Sequence, residues 1–227
     1  MREEEKALIK RQNQRRILDK FIDRPVKYLI KKKISPNFLS FIGFLFSLST
    51  AFFISIGALH FDIWLAWIVP FLMFWAGAFD VFDGEVARRT GHNSRAGAFL
   101  DSNLDRVSDT VIILSLIIGN YIDYLSGYIL LFLIIMISYI RARAENESVD
   151  MKGVGFMERA ERLIILWAAF ITESWIFYLS KLIYGFSFSW FFQIFAIFFI
   201  GLLTLTILQR FIYSLKSLRK VDKKEMK

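Results

Sequence analysis

Residues 63–109 read IWLAWIVPFLMFWAGAFDVFDGEVARRTGHNSRAGAFLDSNLDRVSD, and this stretch decides the fold. It joins apolar runs to the aspartates Asp80, Asp83, Asp101 and Asp105. A charged side chain at mid-bilayer costs about 2.5–3.5 kcal/mol or more, so an ionisable residue in such a run is first read as functional. Asp80 and Asp83 are three residues apart and Asp101 and Asp105 four apart, so each pair shares one face of its helix. The first pair ends one apolar segment and the second begins the next, which brings all four to one depth.

Four carboxylates gathered in a low dielectric repel one another and take up protons unless divalent cations neutralise them. Two such ions balance the charge. A ligand set made only of carboxylate oxygen favours Mg²⁺, with Mn²⁺ acceptable. Gly84, Ala87 and Gly97 are small enough for helices and a phosphate to come close, and Arg88 supplies a cation for a further anion. The pattern describes a site for a pyrophosphate-containing substrate, because two metals can hold both the attacking and the leaving oxygen at phosphorus.

The rest of the chain agrees with a membrane setting. Of 227 residues, 56% are hydrophobic and 25 are Phe. There is no Cys, which excludes disulfides and thiolate metal sites. Runs of about 20 apolar residues mark a crossing. Six are found, near Phe38–Leu59, Ile63–Phe82, Ala98–Gly119, Leu125–Ile140, Leu163–Ser180 and Phe188–Tyr213. The basic segment after the fourth is expected to continue that helix into water. The expected fold is therefore all-α, with six transmembrane helices.

Alternate connections carry 28 of the 29 Lys and Arg residues, leaving Lys181 alone on the other face. The positive-inside rule then places both termini and the aspartates on the cytoplasmic side of the cytoplasmic membrane. Residues 1–33 hold 12 Lys or Arg and no long apolar run, so no cleavable targeting segment is expected. Within them Leu18, Phe21, Ile22, Val26, Leu29 and Ile30 recur at helical spacing, the pattern of an amphipathic helix lying in the interface. The chain divides into this juxtamembrane segment, 1–33, and a six-helix membrane domain, 34–227.

Two further acids need a reading. Asp109 continues the stripe of Asp101 and Asp105 one turn deeper, in a supporting role, whereas Glu173 reads as a helix-end carboxylate that reaches water. His60 falls on the opposite face, and His92 reads as a solvated loop residue. A divalent-cation transporter is the rival from another class, but it would spread carboxylates through the membrane depth.

The spacing Asp80-x2-Asp83-Gly84-x2-Ala87-Arg88-x8-Gly97-x3-Asp101-x3-Asp105 resembles the signature of the CDP-alcohol phosphotransferases at all eight fixed positions. The resemblance implies six membrane helices, a dinuclear metal centre and transfer of a phosphatidyl-type group from a CDP-linked lipid to an alcohol, with release of CMP. By it, Asp80, Asp83, Asp101 and Asp105 are metal ligands and Asp105 is also the general base. Asn37, from a Pro36-Asn37 element like the family's, joins Asp83, Gly84, Ala87 and Arg88 in binding the CDP-lipid. A homodimer in the membrane, with no nucleic-acid partner, is implied as well.

Later stretches, Ser138 to Glu145, Gly155 to Leu163 and Leu208 to Arg210, resemble the phosphatidylinositol phosphate and archaetidylinositol phosphate synthases. Ala160 stands where that subfamily usually has Pro. The implied donor is CDP-diacylglycerol or CDP-archaeol and the implied acceptor inositol 1-phosphate, its phosphate held by Ser138, Arg141, Arg143, Arg159, Arg162 and Arg210. Arginine suits such an anion because its planar fork binds phosphate through two bonds. Glycerol 3-phosphate, serine or a soluble inositol unit are the alternative acceptors.

Overall fold

A computed structural model describes residues 22–91 and 94–225, and these are helical without a strand among them. Helix α1 covers residues 22–31. Helices α2 (Pro36–Ser55), α3 (Ile63–Ala66), α4 (Ile68–Thr90), α5 (Arg95–Ile118), α6 (Tyr124–Asn146), α7 (Arg159–Tyr184) and α8 (Phe191–Glu225) follow. Local chemistry sets several starts. Ser35 caps α2 by accepting from Phe38 N, with Pro36 at the first turn where its missing N–H costs nothing. Ser94 accepts from Gly97 N at 2.9 Å and Asp123 from Ser126 N at 2.9 Å, fixing the starts of α5 and α6. Glu158 and Glu161 close a reciprocal capping box at the start of α7. Gly91 ends α4 in the left-handed region, where its N–H bonds to Ala87 O.

Among the described residues, five segments are long and apolar enough to cross a membrane: α2, α3 with α4, α6, α7 and α8. Helix α5 has 24 residues, spanning about 36 Å at 1.5 Å per residue, but contains Arg95, Asp101, Asp105, Arg106 and Asp109. It differs from the other five by composition and not by length. Phe99, Val107, Leu114 and Ile118 are exposed on it, with Arg95 and Asn103 exposed toward its start, while Asp109 is buried.

The apolar core lies in the half of the bundle away from the aspartates. Ile54, Leu59, Met73, Ile113, Leu116 and Phe170 belong to one buried cluster that Phe192, Phe199 and Leu203 of α8 complete. Helix α2 packs on α4 and α5, and α6 on α8. At the other end Val26 of α1 is buried against Leu39 of α2 and Val86 of α4, with Ile22, Leu29 and Ile30 alongside. The apolar face expected to rest on lipid therefore packs against protein over residues 22–30. Leu18 and Phe21 lie outside the described residues. Arg89 of α4 donates to Asp23 at 2.6 Å, and Lys27 reaches Asp23 at 2.7 Å. Those two cations hold the Asp23 carboxyl below its ordinary value.

Candidate active site

Helices α4 and α5 bring the four motif aspartates together where they leave the apolar core. One oxygen each from Asp80, Asp101 and Asp105 lies within 4.8 Å of the other two. Asp83 borders the same small recess, of about 20 Å³, but stands outside that closest group. Its Oδ2 is buried and meets no hydrogen-bond partner, and the residue is only 6% exposed. A buried anionic oxygen left unpaired is costly, so this atom requires a cation or donor from elsewhere. The set fits a hard divalent ion: oxygen donors, close spacing and one orphaned carboxylate oxygen.

The recess lies between two larger cavities, each sharing residues with it. On one side a cavity of about 420 Å³ is lined by Asn37, Asp83, Gly84, Ala87, Arg88, Gly97 and Asp101, so all the expected nucleotide-side residues meet there. Ser94 and Arg95 line it too and were not foreseen. Their signal lay in the loop between Arg88 and Gly97, where a capping Ser beside an Arg makes a small, positively charged helix start. Arg88 pairs with Glu85 at 2.6 Å, and Gly97 passes Ser94 and Asn37 so closely that a Cβ would meet their side-chain oxygens at 3.0 and 3.2 Å.

On the other side a cavity of about 310 Å³ is lined by Asp101, Asp105 and Asp109 with Ser138, Arg141, Arg159, Arg162 and Arg210. Arg143 does not line it. Two residues from Arg141 on α6, it faces another groove and pairs with Glu147 at 2.6 Å. Arg106 takes a place that sequence reasoning missed, donating to Ser102 O.

The arginines are held to different depths. Arg210 donates to Val154 O at 2.9 Å and Ile137 O at 3.0 Å, which fixes the loop after α6 over the cavity. Arg162 donates to Asp109 at 2.9 Å, so Asp109 orients a cavity arginine and joins no group of metal-type oxygens among the described residues. Arg159 reaches furthest: its Nη1 lies 2.8 Å from Asp80 and 2.9 Å from Asp105, and its Nε lies 3.5 Å from Asp109.

Glu173 departs from expectation. It is 1% exposed, accepts from Ser189 at 2.7 Å and meets His60 Nε2 at 2.5 Å, while His60 stacks on Phe177. The carboxylate is a buried tie between α7, the loop before α8 and the turn after α2, and does not reach water. His92 lies outside the described residues.

Fold and site together define a polytopic helical membrane protein whose aspartate cluster joins two polar cavities. The model of the CDP-alcohol phosphatidyltransferase family matches residues 33–213, and the chain belongs to that family. It is 46% identical over 41% of its length to a Methanothermobacter thermautotrophicus protein named archaetidylinositol phosphate synthase, covering 47% of that protein. A Pyrococcus horikoshii protein of the same name is 35% identical over 65% of this chain and 75% of its own. The first of these alignments thus spans about half of the relative. The fold resembles that of Mycobacterium tuberculosis phosphatidylinositol phosphate synthase crystallised with CDP-DAG bound, with a TM-score of 0.66 and 24% identity over 84% of this chain and 92% of that one. The same synthase crystallised with manganese and citrate gives a TM-score of 0.66 at 23% identity, covering 84% and 87%. Family membership displaces the transporter reading.

Proposed function

We propose that this protein transfers the phosphatidyl or archaetidyl group of a CDP-linked lipid to a hydroxyl of inositol 1-phosphate, releasing CMP. The observation that carries this reading is the aspartate recess between the Arg88 cavity and the arginine-rich cavity, a layout that sets a donor pyrophosphate and a phosphorylated acceptor on either side of one centre. Relatives named archaetidylinositol phosphate synthase support the same acceptor.

In this reading Asn37, Gly84, Ala87 and Arg88 hold the CDP portion, with Asp83 and Asp101 between it and the centre. Asp80, Asp83, Asp101 and Asp105 would hold two Mg²⁺, with Mn²⁺ as a substitute. When bound, these ions neutralise the carboxylates and stabilise charge on the phosphoryl oxygens. Asp105, bordering both the recess and the acceptor cavity, accepts the proton of the attacking hydroxyl. That oxygen forms its bond to the β-phosphorus as the bond to the CMP oxygen breaks. Ser138, Arg141, Arg159, Arg162 and Arg210 receive the acceptor phosphate. Arg143 stays outside this set because of its placement.

Helix α5 counts as the sixth span, since it turns its acids inward and leaves apolar side chains outward. The basic connections then put the centre and both termini on the cytoplasmic side of the cytoplasmic membrane. The homodimer remains part of the reading on family likeness alone.

The test is CMP release by purified protein given Mg²⁺, CDP-archaeol or CDP-diacylglycerol, and one acceptor at a time. The expected result is CMP and a phosphoinositide phosphate product with inositol 1-phosphate but none with free inositol or serine. Turnover with glycerol 3-phosphate instead would reassign the acceptor, and full activity in excess chelator would remove the metal.

A further inference from the structure

Arg159 occupies a position that the acceptor reading does not explain. Its guanidinium lies between Asp80 and Asp105, two members of the carboxylate group suited to a metal, at 2.8 and 2.9 Å. The other cavity arginines have partners elsewhere: Arg106 has Ser102 O, Arg141 has Glu145, Arg162 has Asp109, and Arg210 has two main-chain carbonyls. Arg159 also lines both the recess and the arginine-rich cavity, so a change of side-chain rotamer alone moves its charge from one to the other. It is the first residue of α7, and its main chain is anchored there by the capping box of its neighbour Glu158.

We infer that Arg159 is a positioning residue that couples the two sites: its guanidinium and a divalent cation compete for Asp80 and Asp105, and the displaced guanidinium turns to the acceptor phosphate. The inference rests on the metal and acceptor assignments proposed above. Two cations within the same few ångströms repel, and a guanidinium excluded from one set of oxygens finds an anion in the adjoining cavity. Metal and acceptor phosphate then tighten each other's binding, and linkage requires the two effects to be equal. Metal loading in this way prepares the acceptor cavity before the hydroxyl arrives, and a phosphate-free polyol cannot benefit.

The measurement is Mn²⁺ affinity of the purified protein without CDP-lipid, by calorimetry or electron paramagnetic resonance, with and without saturating inositol 1-phosphate. Wild type should bind Mn²⁺ about 5- to 150-fold more tightly when the acceptor is present, the usual range of such coupling. Arg159→Gln should bind Mn²⁺ more tightly than wild type in the absence of acceptor, because a competitor is gone, and should show no tightening when acceptor is added. A merely structural arginine would give the opposite, a weaker site. Equal or weaker Mn²⁺ binding by Arg159→Gln overturns the inference, as does an unchanged wild-type affinity on adding an acceptor that binds. The wild-type comparison needs no variant to fold. Loss of Mn²⁺ binding in Asp101→Asn checks the metal assignment separately, and its survival there would refute the site rather than the coupling. Should inositol 1-phosphate not bind at all, the acceptor assignment fails, and the Mn²⁺ affinity of Arg159→Gln still decides the competition.

Discussion

Gly97→Ala tests whether the Arg88 cavity binds the CDP portion of the donor. The added methyl would lie 3.0 Å from Ser94 Oγ and 3.2 Å from Asn37 Oδ1, both closer than ordinary carbon contacts. Ser94 is the less free to move, because its oxygen already accepts from Gly97 N at 2.9 Å. Asn37 therefore yields, and it lines the donor cavity. Losing one hydrogen bond to a bound ligand costs about 0.5–1.5 kcal/mol, which raises KM for the CDP-lipid about 2- to 13-fold. Fold stability moves little, since replacing a helical Gly with Ala gains about 0.5–1 kcal/mol against the strain at the cap. Gly77→Ala, on α4 with nothing within 4 Å of the new Cβ, gives the same helix effect without the displacement and should keep the wild-type KM. The assay is initial-rate CMP release against CDP-lipid concentration in mixed micelles, with thermal midpoints measured in parallel. A wild-type KM in a folded Gly97→Ala protein would refute the role of Asn37 and the reading of this cavity.

Three further outcomes follow from the geometry. Asp105→Asn keeps shape and removes basicity, so it should lower kcat by about 100-fold or more while Mn²⁺ and CDP-lipid still bind; loss of metal binding instead would make Asp105 an indispensable ligand. Asp109→Asn removes the anion that orients Arg162 and should lower activity about 10- to 100-fold without abolishing it, a loss checked by steady-state kinetics at saturating Mg²⁺. Glu173→Ala leaves His60 and Ser189 without their partner and should destabilise the fold by about 1–3 kcal/mol in thermal or denaturant unfolding, with kcat unchanged where the protein remains folded.

The sequence already showed where the helices run, because hydropathy marks the apolar slab. Apart from α6, whose run into the basic segment was expected, it did not show where they stop. Helix α4 continues from Phe82 to Thr90, α6 from Ile140 to Asn146 and α8 from Tyr213 to Glu225, through segments rich in charged residues. Backbone hydrogen bonding does not end at the edge of the apolar run, and Arg, Glu and Lys are good helix formers. The extension of α4 matters most, since it carries Asp83 and Arg88 beyond the apolar stretch on a rigid element. Helix α5 was legible by its length but unlike the rest in composition, because Asp101, Asp105 and Asp109 turn toward a polar cavity while Val107, Leu114 and Ile118 stay exposed.

The aspartate site was legible because its information is local: two helices, spacings of three and four, and one connecting turn. The arginine cavity depends on α5, α6, α7 and α8 at once, and no periodicity states which of several cytoplasm-side arginines point inward. Arg141 and Arg143, both expected at the acceptor phosphate, are two apart on α6 and so face different ways, and Arg143 is the one turned away. Glu173 shows the limit from the other side. An acid near a helix end has water as its cheapest partner, and only tertiary packing against His60 and Ser189, residues 113 and 16 positions away, replaces that water. Arg159 combines both lessons: its membership of the cavity was legible from its stretch of sequence, but its placement between Asp80 and Asp105 follows from α7 packing on α4 and aiming this side chain at α5, which brings together residues 79 and 54 positions apart along the chain.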